Sequence, residues 1–301
     1  MNSPSDIAAV ILNWNCAQDT LRCVRAVASG SVVPQIVVVD NGSHDSSVAD
    51  LSASGEGFSL VRLDRNLGYA GGMNAGIHHA RDNGAKWVWL LNADSVPSPS
   101  ALENLAKHTG DYSVLASLQV TSADPADPQA DSYLVAARLN NGRVRPLRCG
   151  GCDARIHEVD VVTGASLFAD ADAIARAGMF DERFFHYKEE FDLVRRIALD
   201  GGRVGLACGS KVWHQRGGSL RGASPRAQYY LHRNELLYVH KHYPRPVRRM
   251  LLQEPSHYLK LAKSLLGMFG SSARRARSLA VFAAYWDGMR GVTGPTNRFS
   301  T

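Results

Sequence analysis

Asp94 closes the stretch WVWLLNAD (residues 87–94), where an apolar run with bulky side chains on both faces stops at Asn92-Ala93-Asp94 and again at Pro97 and Pro99. A buried parallel strand that ends in a carboxylate places it where an open α/β sheet keeps its ligand site, and there a carboxylate can hold a divalent cation against a diphosphate. A second stretch, residues 180–193 (FDERFFHYKEEFDL), sets acids among aromatic rings. A carboxylate beside an aromatic wall is desolvated and holds its proton more tightly, which suits a general base. The plainer account of Glu189 and Glu190 is a helix N-terminus, whose dipole stabilises acids by ~0.3 to 1 kcal/mol. His214, in VWHQRGGS, supplies an imidazole, although a lone histidine is more often a surface or packing residue than a metal ligand.

These side chains need a frame. Residues 7–13 (IAAVILN) and 35–40 (QIVVVD) read as buried strands, the second ending in Asp40 and opening into a loop, Asn41-Gly42-Ser43-His44-Asp45-Ser46, rich in turn formers. Leu21, Val24 and Val27 recur at helical spacing between them. A third strand at 58–63 leads through the glycine-rich residues 66–76 into a helix expected to end near Gly84, and then to the Trp87 strand. Repeated strand-helix alternation predicts a doubly wound, mostly parallel α/β sheet with helices on both faces. A helix from Ser100 to about His108 and a strand over 113–120 follow, and residues 121–158, broken by Pro125, Pro128, Pro146 and Gly150-Gly151, read as a long irregular connection. Order returns at 159–168, a helix spans 190–200, a short strand covers 203–207, and His214 falls in a loop after it.

Composition narrows the classes. The chain has 301 residues, 45% hydrophobic and 21% charged, enough for one large domain with an added lobe rather than a disordered segment. The net charge of +6 is concentrated: residues 245–301 hold 10 Lys or Arg against 2 acids, and residues 1–244 are net −2. A nucleic-acid surface would spread basic residues over the main domain with aromatics between them, so no nucleic-acid partner is expected. Five sparse cysteines and a polar start favour a reducing cytosol. Cys149 and Cys152 form a lone CxxC without the second pair that structural zinc wants, and chance spacing in a glycine-rich turn is the favoured account. The glycine loop fails the dinucleotide fingerprint, because Gly68 is followed by Ala70 two positions on and Gly71 by Met73. There is no GxxxxGK[ST] motif.

In order, VVVDNGSHDSS, NLGYAGGMNAGI, WLLNADS, TGASLF, FDERFFHYKEEFDLVRR and VWHQRGGS resemble the family 2 glycosyltransferases of GT-A fold, nearest to the rhamnosyltransferase-like members that build bacterial surface polysaccharides such as lipopolysaccharide. The resemblance spans about Ile7 to Tyr243. It implies a nucleotide-sugar pocket in which Asp40, Asn13 and Asn15 bind the nucleotide base while Asn66, Gly68, Gly72 and Asn74 line the donor site. It implies that Asp94 is the metal-binding acid of a DxD-like motif whose first position is the neutral Asn92, and that His214 completes the metal site for Mn²⁺ or Mg²⁺. It implies Glu190 as catalytic base, with Glu189 and Asp192 as substitutes. The implied reaction is inverting transfer of a sugar from a nucleotide diphosphate donor, dTDP-rhamnose ahead of a UDP-hexose, to a hydroxyl of a glycan or lipid-linked acceptor. Arg233-Asn234 matches a family pair that lines the acceptor side, with core packing as the alternative.

The expected organisation is a GT-A domain over residues 1–244, with a nucleotide-binding half to about 120 and an acceptor-binding half over 121–244, followed by a basic amphipathic helical tail over 245–301. Such a tail lies on an anionic membrane face, which suits a lipid-linked acceptor and a protein peripheral on the inner face of the cytoplasmic membrane; its alternative is a helical cap on the main domain. Two rival functions stay open. A nucleotidyltransferase would carry a glycine- and basic-rich signature after the first strand, where this chain has Asn13-Trp14-Asn15. A non-catalytic nucleotide-sugar binding module would tolerate loss of Asp94, Glu190 and His214, all of which are present.

Overall fold

The computed structural model describes residues 4–120, 136–140, 143–146, 155–214, 224–243 and 256–299. They fall into two compact units, Met1–Asp181 with Glu190–Arg216, and Glu182–Glu189 with Gly217–Thr301.

In the first unit β1 (Ile7–Asn13), α1 (Ala17–Ala28), β2 (Gln35–Asp40), α2 (Ser47–Ala53), β3 (Ser59–Arg62), α3 (Gly68–Asp82) and β4 (Trp87–Asn92) follow in order. Then come β5 (Ser95–Pro97), α4 (Ala101–Ala106), β6 (Val114–Val120), β7 (Ala136–Asn140), β8 (Arg143–Pro146), β9 (Ile156–Glu158), β10 (Val161–Val162), β11 (Ser166–Asp170), α5 (Ala171–Arg176), α6 (Glu189–Leu199) and β12 (Val204–His214). The main sheet runs β3-β2-β1-β4-β11-β6-β12-β5, with β9 also paired to β12. β1, β2, β3 and β4 pair in parallel, as do β6 and β12, whereas β11 is antiparallel to both its neighbours. The strand order reverses beside β1, so the C-terminal ends of β1, β2 and β4 open on one crevice.

The sheet is buried on both faces, which is why its strands are continuous apolar runs. In β1, Ala8 and Val10 face a core shared with Met73 and Ile77 of α3 and Leu193 and Ile197 of α6. Ile7, Ala9 and Ile11 face the opposite core with Leu21 and Val24 of α1 and Leu102 and Leu105 of α4. Gly72 lets α3 lie close on the sheet, because a β-carbon there would collide with the Leu12 side chain.

Two regions differ from the sequence reading. Within 121–158, expected to be irregular, β7 and β8 pair antiparallel and β9 pairs with β12; Cys149 and Cys152 lie outside the described residues. The strand expected to stop at Ala207 continues to His214. A register shift between Ala207 and Lys211 carries the pairing with β6 past Gly209-Ser210, a bulge that breaks the apolar pattern without ending the strand. Ser210 is buried there and shares a hydroxyl chain with Ser117 and Ser166, which in turn accepts from Trp89 Nε1. Cys16 and Cys23 are free thiols and Cys208 is disulfide-bonded.

The second unit comprises residues 182–189 and the helices α7 (Pro225–His242), α8 (Ser256–Gly267) and α9 (Ser272–Met289). Ser224 caps α7 by accepting from Ala227 N, with Pro225 in the first turn. α9 packs on α7 through Ala280 and Ala284 against Tyr229 and Tyr230, and through Val281 and Tyr285 against Leu236. Leu279, Trp286 and Met289 of α9 face solvent, as do Leu265 and Leu266 of α8. Among the described residues no helix is long and apolar enough to cross a membrane.

Candidate active site

The ends of β1 and β2 meet in register, Asn13 beside Asp40. Asp40, 1% exposed, accepts from Asn13 Nδ2 at 2.7 Å, from Ser43 Oγ at 2.6 Å and from Ser43 N at 3.1 Å. Asn13 Oδ1 accepts in turn from Thr20 Oγ1 at 2.8 Å. Asn15, in the left-handed region at φ 53°, donates its N–H to Ser43 Oγ and accepts from His44 N. Three donors converging on one buried carboxylate fix the shape of the loop around it. Trp14 Nε1 is buried without an acceptor among the described residues, an N–H open to a ligand oxygen. Ser43, Thr20 and Trp14 were not among the expected site residues; Trp14 and Ser43 had the signal of lying just past the ends of β1 and β2, whereas Thr20 lies within α1 and had none.

Asn41 staples the glycine loop to this pocket. Its Nδ2 donates to Gly68 O at 2.9 Å and to Asn66 Oδ1 at 3.3 Å, its Oδ1 accepts from Leu67 N, and Asn66 Oδ1 also accepts from Gly68 N. Gly42, at φ +68°, has room for no side chain, since a β-carbon would lie 2.5 Å from the Arg65 backbone. Of the four residues expected to line a donor site, Asn66 and Gly68 sit in this staple and Gly72 serves helix packing. Asn74 is turned elsewhere: buried, it exchanges two 3.0 Å hydrogen bonds with the Phe180 backbone.

Asp94 follows β4 by two residues, and Ser95 begins β5, which pairs antiparallel with the end of β12 so that Ser95 lies opposite His214. That register brings Asp94 Oδ1 to 3.1 Å from His214 Nε2, with both side chains largely buried. Asn92 Nδ2 is 3.2 Å from the same nitrogen, and the direction of that contact follows the imidazole tautomer. A carboxylate oxygen and an imidazole nitrogen facing one point suit a borderline divalent cation. Among the described residues no group of three His, Cys, Asp or Glu gathers, so such a cation would draw its other ligands from water or substrate.

The turn Thr163-Gly164-Ala165 ties this corner to the acidic helix. Ala165 O accepts from Asn92 N at 3.2 Å and from Ser95 Oγ at 3.1 Å, two residues before Asp94 and one after it. Gly164 O accepts from Tyr69 Oη at 2.9 Å, and a β-carbon built on Gly164 would be 3.5 Å from Glu190 Cβ. Asp94 and Glu190 thus flank one three-residue turn. Glu189 is the buried first residue of α6. Asp192, fully buried, pairs with Arg196 at 2.6 Å, and Arg196 also donates to the carbonyls of Ala177 and Met179. Asp192 therefore anchors α6 to the turn before it.

In the second unit, Arg233 and Asn234 are both fully buried, the core-packing alternative. Asn234 Nδ2 donates to the carbonyls of Phe184, His186 and Tyr187, and Arg233 donates to those of Phe184 and Gly294 and to Asn234 Oδ1. The segment they hold has three non-glycine residues at positive φ: Phe185, Tyr187 and Lys188. Each such conformation costs about 1 kcal/mol or more, so it persists only where the surroundings over-determine it. The Arg233 guanidinium has ring faces in place of a carboxylate, Tyr230 at 5.0 Å and Tyr229 at 5.5 Å, and burial lowers its pKa.

Comparison with known proteins follows the same lines. Residues 8–145 match the model of Glycosyl transferase family 2. The chain is 32% identical over 149 residues to the succinoglycan biosynthesis protein ExoO of Rhizobium meliloti, covering 46% of this chain and 42% of that protein. It is 27% identical over 223 residues to the galactofuranosyltransferase GlfT1 of Mycolicibacterium smegmatis, covering 70% of this chain and 71% of the relative. The structure of GalNAc-T7 with UDP, GalNAc and Mn²⁺ superposes with a TM-score of 0.65 at 13% identity, covering 96% of this chain and 58% of that one. The family model thus matches a little under half of the chain, and the sheet that carries the matched residues has the GT-A fold.

Proposed function

We propose that the protein is an inverting, metal-dependent glycosyltransferase that moves a sugar, rhamnose in first place, from a nucleotide diphosphate donor to a hydroxyl of a glycan or lipid-linked acceptor. The observation that carries the proposal is the placement of Asp94 and Glu190 on either side of the 163–165 turn, with His214 Nε2 at 3.1 Å from Asp94. The Asp40, Asn13 and Asn15 cluster orients the nucleotide. Asp94 and His214 would hold Mn²⁺ or Mg²⁺, and that ion, when bound, would supply positive charge to offset the charge developing on the departing diphosphate. Glu190 takes the proton of the acceptor hydroxyl as its oxygen attacks the anomeric carbon. The bond to the diphosphate breaks, its electron pair leaves with the nucleotide, and the anomeric centre inverts.

The subgroup resemblance supports dTDP-rhamnose ahead of a UDP-hexose, and the Mn²⁺ and UDP named for GalNAc-T7 support a metal-held nucleotide sugar. The biosynthetic role named for ExoO supports a polysaccharide product. A GT-A domain over 1–244 with a tail over 245–301 resting on the anionic inner face of the cytoplasmic membrane fits a lipid-linked acceptor. Glu190→Gln is expected to lower transfer ~10²- to 10⁴-fold while nucleotide binding, read by calorimetry, stays near wild type. Wild-type turnover in that variant would sink the assignment of the base, and unchanged Mn²⁺ affinity in Asp94→Ala would sink the metal site.

A further inference from the structure

The second unit contains a cavity of about 480 Å³ that takes no part in the chemistry above. Gln228 of α7, Lys263 and Ser264 of α8, and Arg274, Arg277 and Ser278 of α9 line it. Positions 274, 277 and 278 share one face of α9, and 263, 264 and 267 share one face of α8, so helical periodicity aims both sets inward. Gly267 allows the two helices to close, because a β-carbon there would collide with Ser278 Oγ.

Lys263 and Arg274 are exposed and Arg277 is half-buried, so three cations together give this cavity a positive potential. Among the described residues no carboxylate pairs with Lys263, Arg274 or Arg277. Asp287, the only acid in residues 256–299, is buried and already engaged by Arg298 at 2.8 Å and by Tyr229 Oη at 2.8 Å. The cavity therefore presents two guanidinium forks, an ammonium and two hydroxyls, a set of donors suited to the oxygens of a phosphate ester. On the same hairpin of α8 and α9, apolar side chains point into solvent: Leu265 is 57% exposed, Leu266 74% and Phe269 91%.

We propose that this cavity binds the phosphate or diphosphate headgroup of a membrane-borne lipid, while Leu265, Leu266 and Phe269 enter the interfacial layer of the bilayer. Charge and apolar exposure on one hairpin single out a lipid over a soluble phosphate. The inference rests on the lipid-linked acceptor of the reading above and adds the site that would hold it.

The test is vesicle sedimentation of the full chain with phosphatidylcholine alone, phosphatidylcholine with phosphatidic acid, and phosphatidylcholine with a polyprenyl diphosphate. The expected result is binding to the two phosphate-bearing vesicles, competition by inorganic diphosphate, and a loss of about tenfold or more in Arg274→Ala/Arg277→Ala, since each basic side chain near an anionic surface contributes about 1 kcal/mol. Arg290→Ala, outside the cavity, is expected to bind as wild type. Undiminished binding in the double variant would overturn the proposal, as would an equal loss in Arg290→Ala. Binding of inorganic diphosphate with indifference to vesicles would overturn it as well. Donor hydrolysis in solution separates the two ideas: it is expected to be unchanged in the double variant. If the wild-type chain hydrolyses no nucleotide sugar yet binds vesicles through Arg274 and Arg277, the glycosyltransferase reading fails and the cavity stands.

Discussion

The corner around Asp40 and Asp94 and the segment before Glu189 are built in opposite ways. At Asp40 and Asp94 the acids sit at or just past the ends of buried strands, and sheet pairing brings their partners to them: Asn13 through the β1–β2 register, His214 through the β5–β12 register. Residues 184–188 have no ladder. Phe185, Tyr187 and Lys188 at positive φ are held by side chains almost fifty positions away, Arg233 and Asn234. The first kind of site inherits its precision from a regular scaffold and tolerates loss of any one contact. The second concentrates its support in two residues and should fail when either is changed.

Asn234→Leu is the strongest test of that contrast. It takes the amide donor from the carbonyls of His186 and Tyr187 and one of the donors from that of Phe184, which keeps Arg233 and His186 N, and it releases the left-handed residues; it is expected to destabilise the protein by about 3 kcal/mol. Hydrogen exchange should rise first in residues 184–188; protection equal to wild type there would break the comparison.

Acid should act on the same segment. Burial, then the Arg226 guanidinium, pushes the His186 pKa down to about 4. Its folded pKa lies below the unfolded value, so the unfolded chain binds more protons between the two. Stability is full above about 6.5 and is lost as pH falls toward 4, by about 2 kcal/mol after allowance for the residue's half-buried surface. Denaturant midpoints measured across that range should show the loss, and His186→Phe should remove the slope.

Ser43→Ala removes one donor to Asp40 and the acceptor of the Asn15 N–H, while Asn13 Nδ2 and Ser43 N still reach Asp40. It is expected to cost only about 1 kcal/mol, with the donor KM rising more than kcat falls. A loss as large as that of Asn234→Leu would erase the distinction between the two constructions.

The strand-ended carboxylates were legible because a buried strand is an unbroken apolar run, and a run that stops at an acid declares both the strand and its end. Asp40 and Asp94 needed nothing more. His214 was legible as an imidazole but was expected in a loop, because Gly209-Ser210 interrupts the apolar pattern; the bulge lets the strand continue, and only pairing with β5 shows it. The glycines after Asn66 were read through family resemblance as lining a pocket, whereas Gly72 answers to the packing of α3 on Leu12. Arg233-Asn234 was open between acceptor lining and core, and its full burial against carbonyls decides for the core.

Composition and periodicity alone determined an α/β sheet with acids at its strand ends and a basic helical tail, since local apolar spacing reports burial directly. Which of those side chains meet was left to the tertiary structure. Strand register, the 163–165 turn shared by Asp94 and Glu190, and the closing of α8 on α9 around Lys263, Arg274 and Arg277 join residues far apart in the chain, and no local pattern encodes a distance between segments.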